Sequence, residues 1–180
     1  MFKKVNFKLN ELDFDRLKGE VVTSYGRYPR PVLTYYRLGD PAYFKSLLPK
    51  QMFFGVKPYQ VQLAEIIGAG HLLPHIDHNI SACANYYVQT NGSTTYFYNK
   101  RASADGFVYP GRQTANIFSL DQVECVNQFC ALDGEMYLLD VSKIHSVDSP
   151  NVGIRKFISW QWIDVPFEEI RDTINDQTTS

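Results

Sequence analysis

Residues 75–98 read HIDHNISACANYYVQTNGSTTYFY, and two features of this stretch govern how the rest of the chain is read. Its second half carries Thr90-Asn91-Gly92-Ser93 between two runs rich in aromatic and β-favouring residues, one from residue 81 to 89 and one from 94 to 98. An Asn-Gly pair tolerates the positive φ angles of a tight reversal, so the two runs are expected to form a β-hairpin. Its first half sets His75 and Asp77 two residues apart. In an extended chain such residues point to the same side, while Ile76 packs against the opposite face.

The same texture continues on both sides. Upstream, Val61, Leu63, Glu65 and Ile67 share one parity and Gln62, Ala64 and Ile66 the other, before the break at Gly68-Ala69-Gly70. Downstream, residues 114–120 and 122–132 are strand candidates. Asp133-Gly134 turns the chain into 135–141, and Ser149-Pro150-Asn151-Val152-Gly153 separates His145 from a run over 154–163. Many short strands with turn signals at short intervals favour a β-sandwich or jelly roll. Near the start, Val5, Phe7 and Leu9 alternate with polar residues as in a half-buried strand, and residues 25–31 have loop composition. Asp40-Pro41 pairs a helix cap with a proline at the first helical position, which predicts a short helix over 42–48. Residues 166–170 open a C-terminal helix, followed by a polar tail from Asn175 expected to be disordered.

A length of 180 residues with 44% hydrophobic content suits one domain with one buried core. It divides into an N-terminal strand and helix extension (1–58), a β core (59–163) and a C-terminal helix and tail (164–180). The formal net charge of -1, with acids and bases intermixed, offers no footprint for duplex nucleic acid or an anionic membrane. Three cysteines, Cys83, Cys125 and Cys130, form no CxxC pair and argue against a disulfide framework or a thiolate zinc site. Cys125 and Cys130 are expected as small buried residues. With no signal-peptide pattern and no apolar run long enough to span a bilayer, the expectation is a soluble, cytoplasmic protein.

Two imidazoles and one carboxylate make the ligand set that leaves half of an octahedral iron(II) open. His75 and Asp77 supply two members. His145, at the end of the run that follows the Asp133-Gly134 turn, is the candidate third, because antiparallel pairing can bring it beside the His75 strand. Arg155, ten residues further on, can stand on the adjacent strand facing the same cavity, where a guanidinium would clamp a carboxylate. Phe157, Ser159 and Gln161 share its parity and are expected to line that interior, with Trp160 and Trp162 on the other face.

With these motifs, HIDH at 75–78, DGEMYLLDVSKIHSV at 133–147 and Arg155 beyond it, the chain resembles the iron(II)- and 2-oxoglutarate-dependent dioxygenase superfamily, nearest to small prolyl-hydroxylase-like or aspartyl-hydroxylase-like members. The resemblance covers residues 59–163. It implies a mainly β fold with a few peripheral helices, a double-stranded β-helix (jelly roll, cupin-like). It also implies His75, Asp77 and His145 as the catalytic Fe(II) ligands and Arg155 as the anchor for the far carboxylate of 2-oxoglutarate. The reaction implied is hydroxylation with dioxygen, releasing succinate and carbon dioxide; halogenating relatives lack the carboxylate retained here as Asp77. One departure stands out. Prolyl-hydroxylase-like members commonly carry a tyrosine that helps hold 2-oxoglutarate where this chain has Glu65, leaving Tyr59, Tyr87 or Tyr98 as substitutes.

Each assignment has a plainer counterpart. Arg155 could pair with Asp148 or Asp164 at the surface. Asn85 and Tyr87, which share a face and are candidate cofactor contacts, could be ordinary interior polar packing. His71 reads as structural, and His78 as either a partner to the metal ligands or a substrate contact. The alternative function is a cupin-like metal-binding jelly roll without oxygenase turnover, binding or isomerising a small molecule. The primary substrate, a protein side chain or a small molecule, is not legible; the segments around 25–37 and 101–112 are the expected places for its specificity. The even charge pattern argues against a nucleic-acid substrate.

Overall fold

The computed structural model describes residues 1–9, 12–25, 31–47, 56–102, 107–108 and 116–177. Their strands are β1 (Phe2–Val5), β2 (Lys18–Tyr25), β3 (Val32–Leu38), β4 (Gln60–Ile67), β5 (Gly70–His71), β6 (His75–Ile76), β7 (Ala82–Gln89), β8 (Thr94–Lys100), β9 (Phe107–Val108), β10 (Asn116–Ile117), β11 (Val123–Cys130), β12 (Met136–Leu139), β13 (Ile144–Ser149) and β14 (Ile154–Trp162). Three α-helices accompany them, α1 (Phe14–Leu17), α2 (Pro41–Leu47) and α3 (Phe167–Gln177), with one 3-10 turn at Leu120–Gln122. The strands form two antiparallel sheets. The first runs β1-β12-β7-β14-β4-β3-β2, and the second β11-β8-β13-β6-β10-β9, with β5 also on β13.

Period-two patterning sorts the side chains of the first sheet between its faces. On β7, Ala82, Ala84 and Tyr86 face outward while Cys83 and Tyr87 face the second sheet; on β14, Ile158, Trp160 and Trp162 face outward while Phe157 faces inward. The helices cover the outer face, where Phe14, Leu17, Phe44, Phe167 and Ile170 pack onto the tryptophans. A strand covered on both sides must be apolar on both faces, which is why β7 and β14 are buried almost throughout. Local caps fix the helices. Asp13 accepts from the Arg16 amide at 3.0 Å, and Asp40 from the Tyr43 amide at 2.8 Å, so α2 starts at Pro41 as its cap predicts.

The 90–93 turn departs from expectation. Asn91 and Gly92 do take positive φ, 52° and 69°, as the dipeptide predicts. The strands they join are not a hairpin, however: β7 pairs with β12 and β14, and β8 with β11 and β13. The turn therefore carries the chain from one sheet to the other. The reversals at 131–135 and 150–153 do the same, from β11 to β12 and from β13 to β14. Successive strands alternating between facing sheets is the winding of a double-stranded β-helix.

Side chains tie these crossings together at one end of the barrel. Asp133 Oδ1 accepts from both the amide and the hydroxyl of Thr90, each at 2.8 Å, and Asn91 Nδ2 donates to the Asn151 carbonyl at 3.1 Å. A Cβ at Gly153 would lie 2.4 Å from Asn91 Nδ2, so the third crossing admits only glycine while Asn91 holds that position. Asp133→Ala leaves the part-buried Thr90 donors unmet and is expected to cost about 1–3 kcal/mol, read as a lower urea midpoint. An unchanged midpoint would show that the crossings hold without this clasp.

Other expectations shift in detail. The N-terminal strand lies at Phe2–Val5, and Phe7 and Leu9 pack on the apolar layer without a ladder. The C-terminal helix extends to Gln177, through the start of the expected tail. Cys83 is buried as a small apolar residue would be, but Cys125 and Cys130 are exposed, because β11 is an edge strand whose outer face meets solvent. The loop at 26–30 and most of the 103–115 region lie outside the described residues. Among the described residues, no helix is long and apolar enough to cross a membrane.

Candidate metal centre and the cavity behind it

At the end of the barrel opposite the clasped turns, β6 lies against β13 with His75 directly opposite His145. Their ring centroids are 4.4 Å apart. Asp77 follows β6, its amide donating to the Val141 carbonyl at 3.2 Å, so its carboxylate comes up beside both rings. Asp77 Oδ1 is 3.5 Å from His75 Nε2 and 4.0 Å from His145 Nε2. One donor atom from each of the three lies within 4.8 Å of the others.

The rings are held in the form a cation needs. His75 Nδ1–H donates to the Leu73 carbonyl at 2.8 Å and His145 Nδ1–H to the Lys143 carbonyl at 3.0 Å. With Nδ1 committed as donor, Nε2 is the nitrogen of each neutral ring left to ligate a cation, and in the metal-free protein the Nε2–H of a protonated His75 donates to Asp77 instead. Burial, then the neighbouring His75, push the His145 pKa down to about 4, so this ring is neutral in the physiological range. Burial opposes charge on His75 too, yet its hydrogen bond and charge interaction with Asp77 prevail and raise its proton affinity. Burial likewise disfavours the Asp77 carboxylate, and the two imidazoles outweigh it and hold its pKa low. Two imidazole nitrogens and a carboxylate oxygen, converging and retained by backbone carbonyls, fit a divalent metal such as iron(II).

Behind this group a cavity runs between the sheets. Its walls include His75, Asp77 and His145 at one end and Arg155, Tyr87 and Thr95 toward the other. Arg155 is 3% exposed. It bonds neither Asp148 nor Asp164: its Nη2 donates to Thr95 Oγ1 at 3.1 Å and its guanidinium lies 4.6 Å from the Tyr87 ring centre. Its Nε and Nη1 are buried with no partner among the described residues, as are the Tyr87 hydroxyl and Asn85 Oδ1. Unmet buried polar atoms are costly and uncommon, so several in one cavity mark a place shaped for a polar ligand.

Phe157, Ser159 and Gln161 line the cavity, as their parity predicts. Glu65 does not. It faces the outer side of the first sheet, where it accepts from Lys18 Nζ at 2.7 Å and the Tyr36 hydroxyl at 2.8 Å. The tyrosines in the cavity are Tyr87 and Tyr35, the latter contributed by β3, opposite Ala64. Burial, reinforced by the charge of Asp77, raises the Tyr35 pKa well above its usual value and keeps the phenol neutral. Tyr59 is exposed, and Tyr98 bonds His71 and Ser146 outside the cavity. Tyr35 and Thr95 were not singled out by sequence; the strand alternation of β3 and β8 was the available signal. His71 serves that same outer network, and His78 is exposed in the bend after Asp77.

No family profile and no curated protein sequence matches the chain. Among solved structures, that of Escherichia coli YcfD aligns at a TM-score of 0.50 and 10% identity, over 99% of this chain and 53% of YcfD. The chain thus spans about half the length of that protein. Bacillus subtilis oxalate decarboxylase aligns at a TM-score of 0.37 and 12% identity, over 89% of this chain and 36% of that one. Ladder, crossings and structural likeness agree on the architecture: a mainly β, cupin-type jelly roll with a His75-Asp77-His145 group that could bind a metal.

Proposed function

We propose that the chain is an iron(II)- and 2-oxoglutarate-dependent dioxygenase, a hydroxylase of a protein side chain or small molecule. The observation that carries this reading is Arg155, a buried guanidinium with two unmet donors in the cavity that holds the His-Asp-His group. A metal-binding domain that only stored or isomerised a neutral ligand would have no use for it. In this reading His75, Asp77 and His145 hold iron(II), and Arg155 and the Tyr87 hydroxyl donate to the far carboxylate of 2-oxoglutarate. Asn85 stands on the same wall, two residues nearer the start of β7. Iron(II) with 2-oxoglutarate and dioxygen supplies oxidative decarboxylation to succinate and carbon dioxide, coupled to hydroxylation of a C–H bond. The protein's share is positioning and exclusion of water. Nδ1–H bonds to the Leu73 and Lys143 carbonyls fix the imidazoles, and Ile66, Leu72, Val147 and Phe157 supply an apolar lining.

Anaerobic titration of the metal-free protein with iron(II) and then 2-oxoglutarate tests the assignment. A saturable visible charge-transfer band on the second addition is expected. Bound iron without a band would instead favour the cupin-like metal-binding domain.

A further inference from the structure

Asn85 poses a problem that the co-substrate cannot solve. It is 8% exposed, it lines the cavity, and its Oδ1 has no partner among the described residues. An amide oxygen is satisfied only by a donor. At neutral pH 2-oxoglutarate has two carboxylates and a ketone, all acceptors, so it can bond Arg155 and Tyr87 but offers Asn85 Oδ1 nothing.

The neighbouring strand supplies the complement. Ser159 on β14 is directly opposite Asn85, and Gln161 is opposite Cys83, one step toward the start of β7. Gln161 is 6% exposed, and its Oε1 accepts from Gln60 Nε2 at 2.6 Å. That bond occupies the amide oxygen. Its Nε2 is left with one long contact, 3.4 Å to Ser159 Oγ, and so retains donor capacity. On one wall, adjacent strands therefore present an unmet acceptor and an under-used donor. Among the described lining residues, the carboxylate is Asp77 and the permanent cation is Arg155. A ligand bearing a second carboxylate or an ammonium would find no counter-charge left for it.

We propose that Asn85 and Gln161 form a recognition site for a neutral carboxamide on the primary substrate, its N–H donating to Asn85 Oδ1 and its carbonyl accepting from Gln161 Nε2. The site rests on the oxygenase reading only for the identification of this ligand as the substrate; the amide pairing itself needs no metal. A carboxamide can come from an asparagine or glutamine side chain in a peptide or from a free amide, and the same pair would accept either.

The test is ligand-observed NMR on the full chain, metal-free and again anaerobically with iron(II) and 2-oxoglutarate. The probes are isobutyramide, isobutyrate, isobutylamine and the capped peptide acetyl-Gly-Asn-Gly-amide. In the sample loaded with iron(II) and 2-oxoglutarate, where Asp77 and Arg155 are already paired, binding of the amide probes with the acid and the amine at least about tenfold weaker is expected; in both samples Asn85→Leu and Gln161→Leu should each weaken the amide about tenfold or more. Asn85→Asp, which keeps the shape and removes the donor while adding charge, guards against a packing artefact and should disfavour the amide less than Leu does. Binding of the peptide alone would assign the source to a protein side chain, and of isobutyramide with equal affinity to a small amide. Equal binding of amide and acid in the loaded sample, or amide binding untouched by both Leu variants, would overturn the site and leave Asn85 Oδ1 to a water molecule. The charge-transfer titration on the same samples reports separately on the oxygenase reading: a missing band with selective amide binding sinks that reading and spares the site.

Discussion

Replacing His145 with alanine is expected to weaken iron(II) binding at least about a hundredfold, more than the loss known for groups that only support a metal ligand. The ring stands opposite His75 with its Nε2 4.0 Å from the Asp77 carboxylate, and among the described residues no other histidine can take its place, since His71 is engaged outside the cavity and His78 is exposed. Its neutral state matters as much as its position. Burial that holds its pKa near 4 means that no proton need leave this ring before a cation binds at neutral pH. Alanine also leaves space in a packed wall, so His145→Gln, closer in volume, separates folding from ligation. Both variants should keep the parent's far-ultraviolet circular dichroism and lose the metal. Undiminished iron(II) affinity in a folded His145→Gln protein would dismiss the three-residue centre.

How much of this was legible in the sequence follows from the range of the forces involved. The side that His75 and Asp77 share, and the interior parity of Arg155, Phe157, Ser159 and Gln161, depend only on the two-residue repeat of a strand, which is local. The Asn91-Gly92 turn was legible as a reversal for the same reason. What it joins was not. Whether the next strand pairs with the last or crosses to a facing sheet depends on competition for the edges of β7, and those are taken by β12 and β14, some 50 and 70 residues downstream. Glu65 shows a second limit. Its strand is buried on both faces, so alternation alone gives no sign of which side is the cavity; the salt bridge to Lys18, 47 residues away, settles that it faces outward. Tyr35 was missed because β3 joins the sheet through β4, outside the segment that carries the motif.

Arg155→Met is expected to move two measurements in opposite directions. In the ligand-free protein Arg155 is buried with one hydrogen bond, to Thr95, two aromatic neighbours, Tyr87 and Phe157, and two unmet donors. Taking a guanidinium out of water without a counter-charge is expensive, and an apolar side chain of similar length should raise the stability of the ligand-free protein by about 1–4 kcal/mol. The urea midpoint should therefore rise. With 2-oxoglutarate at 100 times its dissociation constant, the parent should gain about 2.7 kcal/mol from binding, and the variant almost none at the same concentration. Iron(II) affinity should be unchanged, because the metal ligands lie on other strands. A cation kept for the fold would behave otherwise: its loss would lower the midpoint and leave 2-oxoglutarate binding intact. The sign of the midpoint shift in the ligand-free variant thus decides whether this unpaired buried charge is kept for a co-substrate or for the fold.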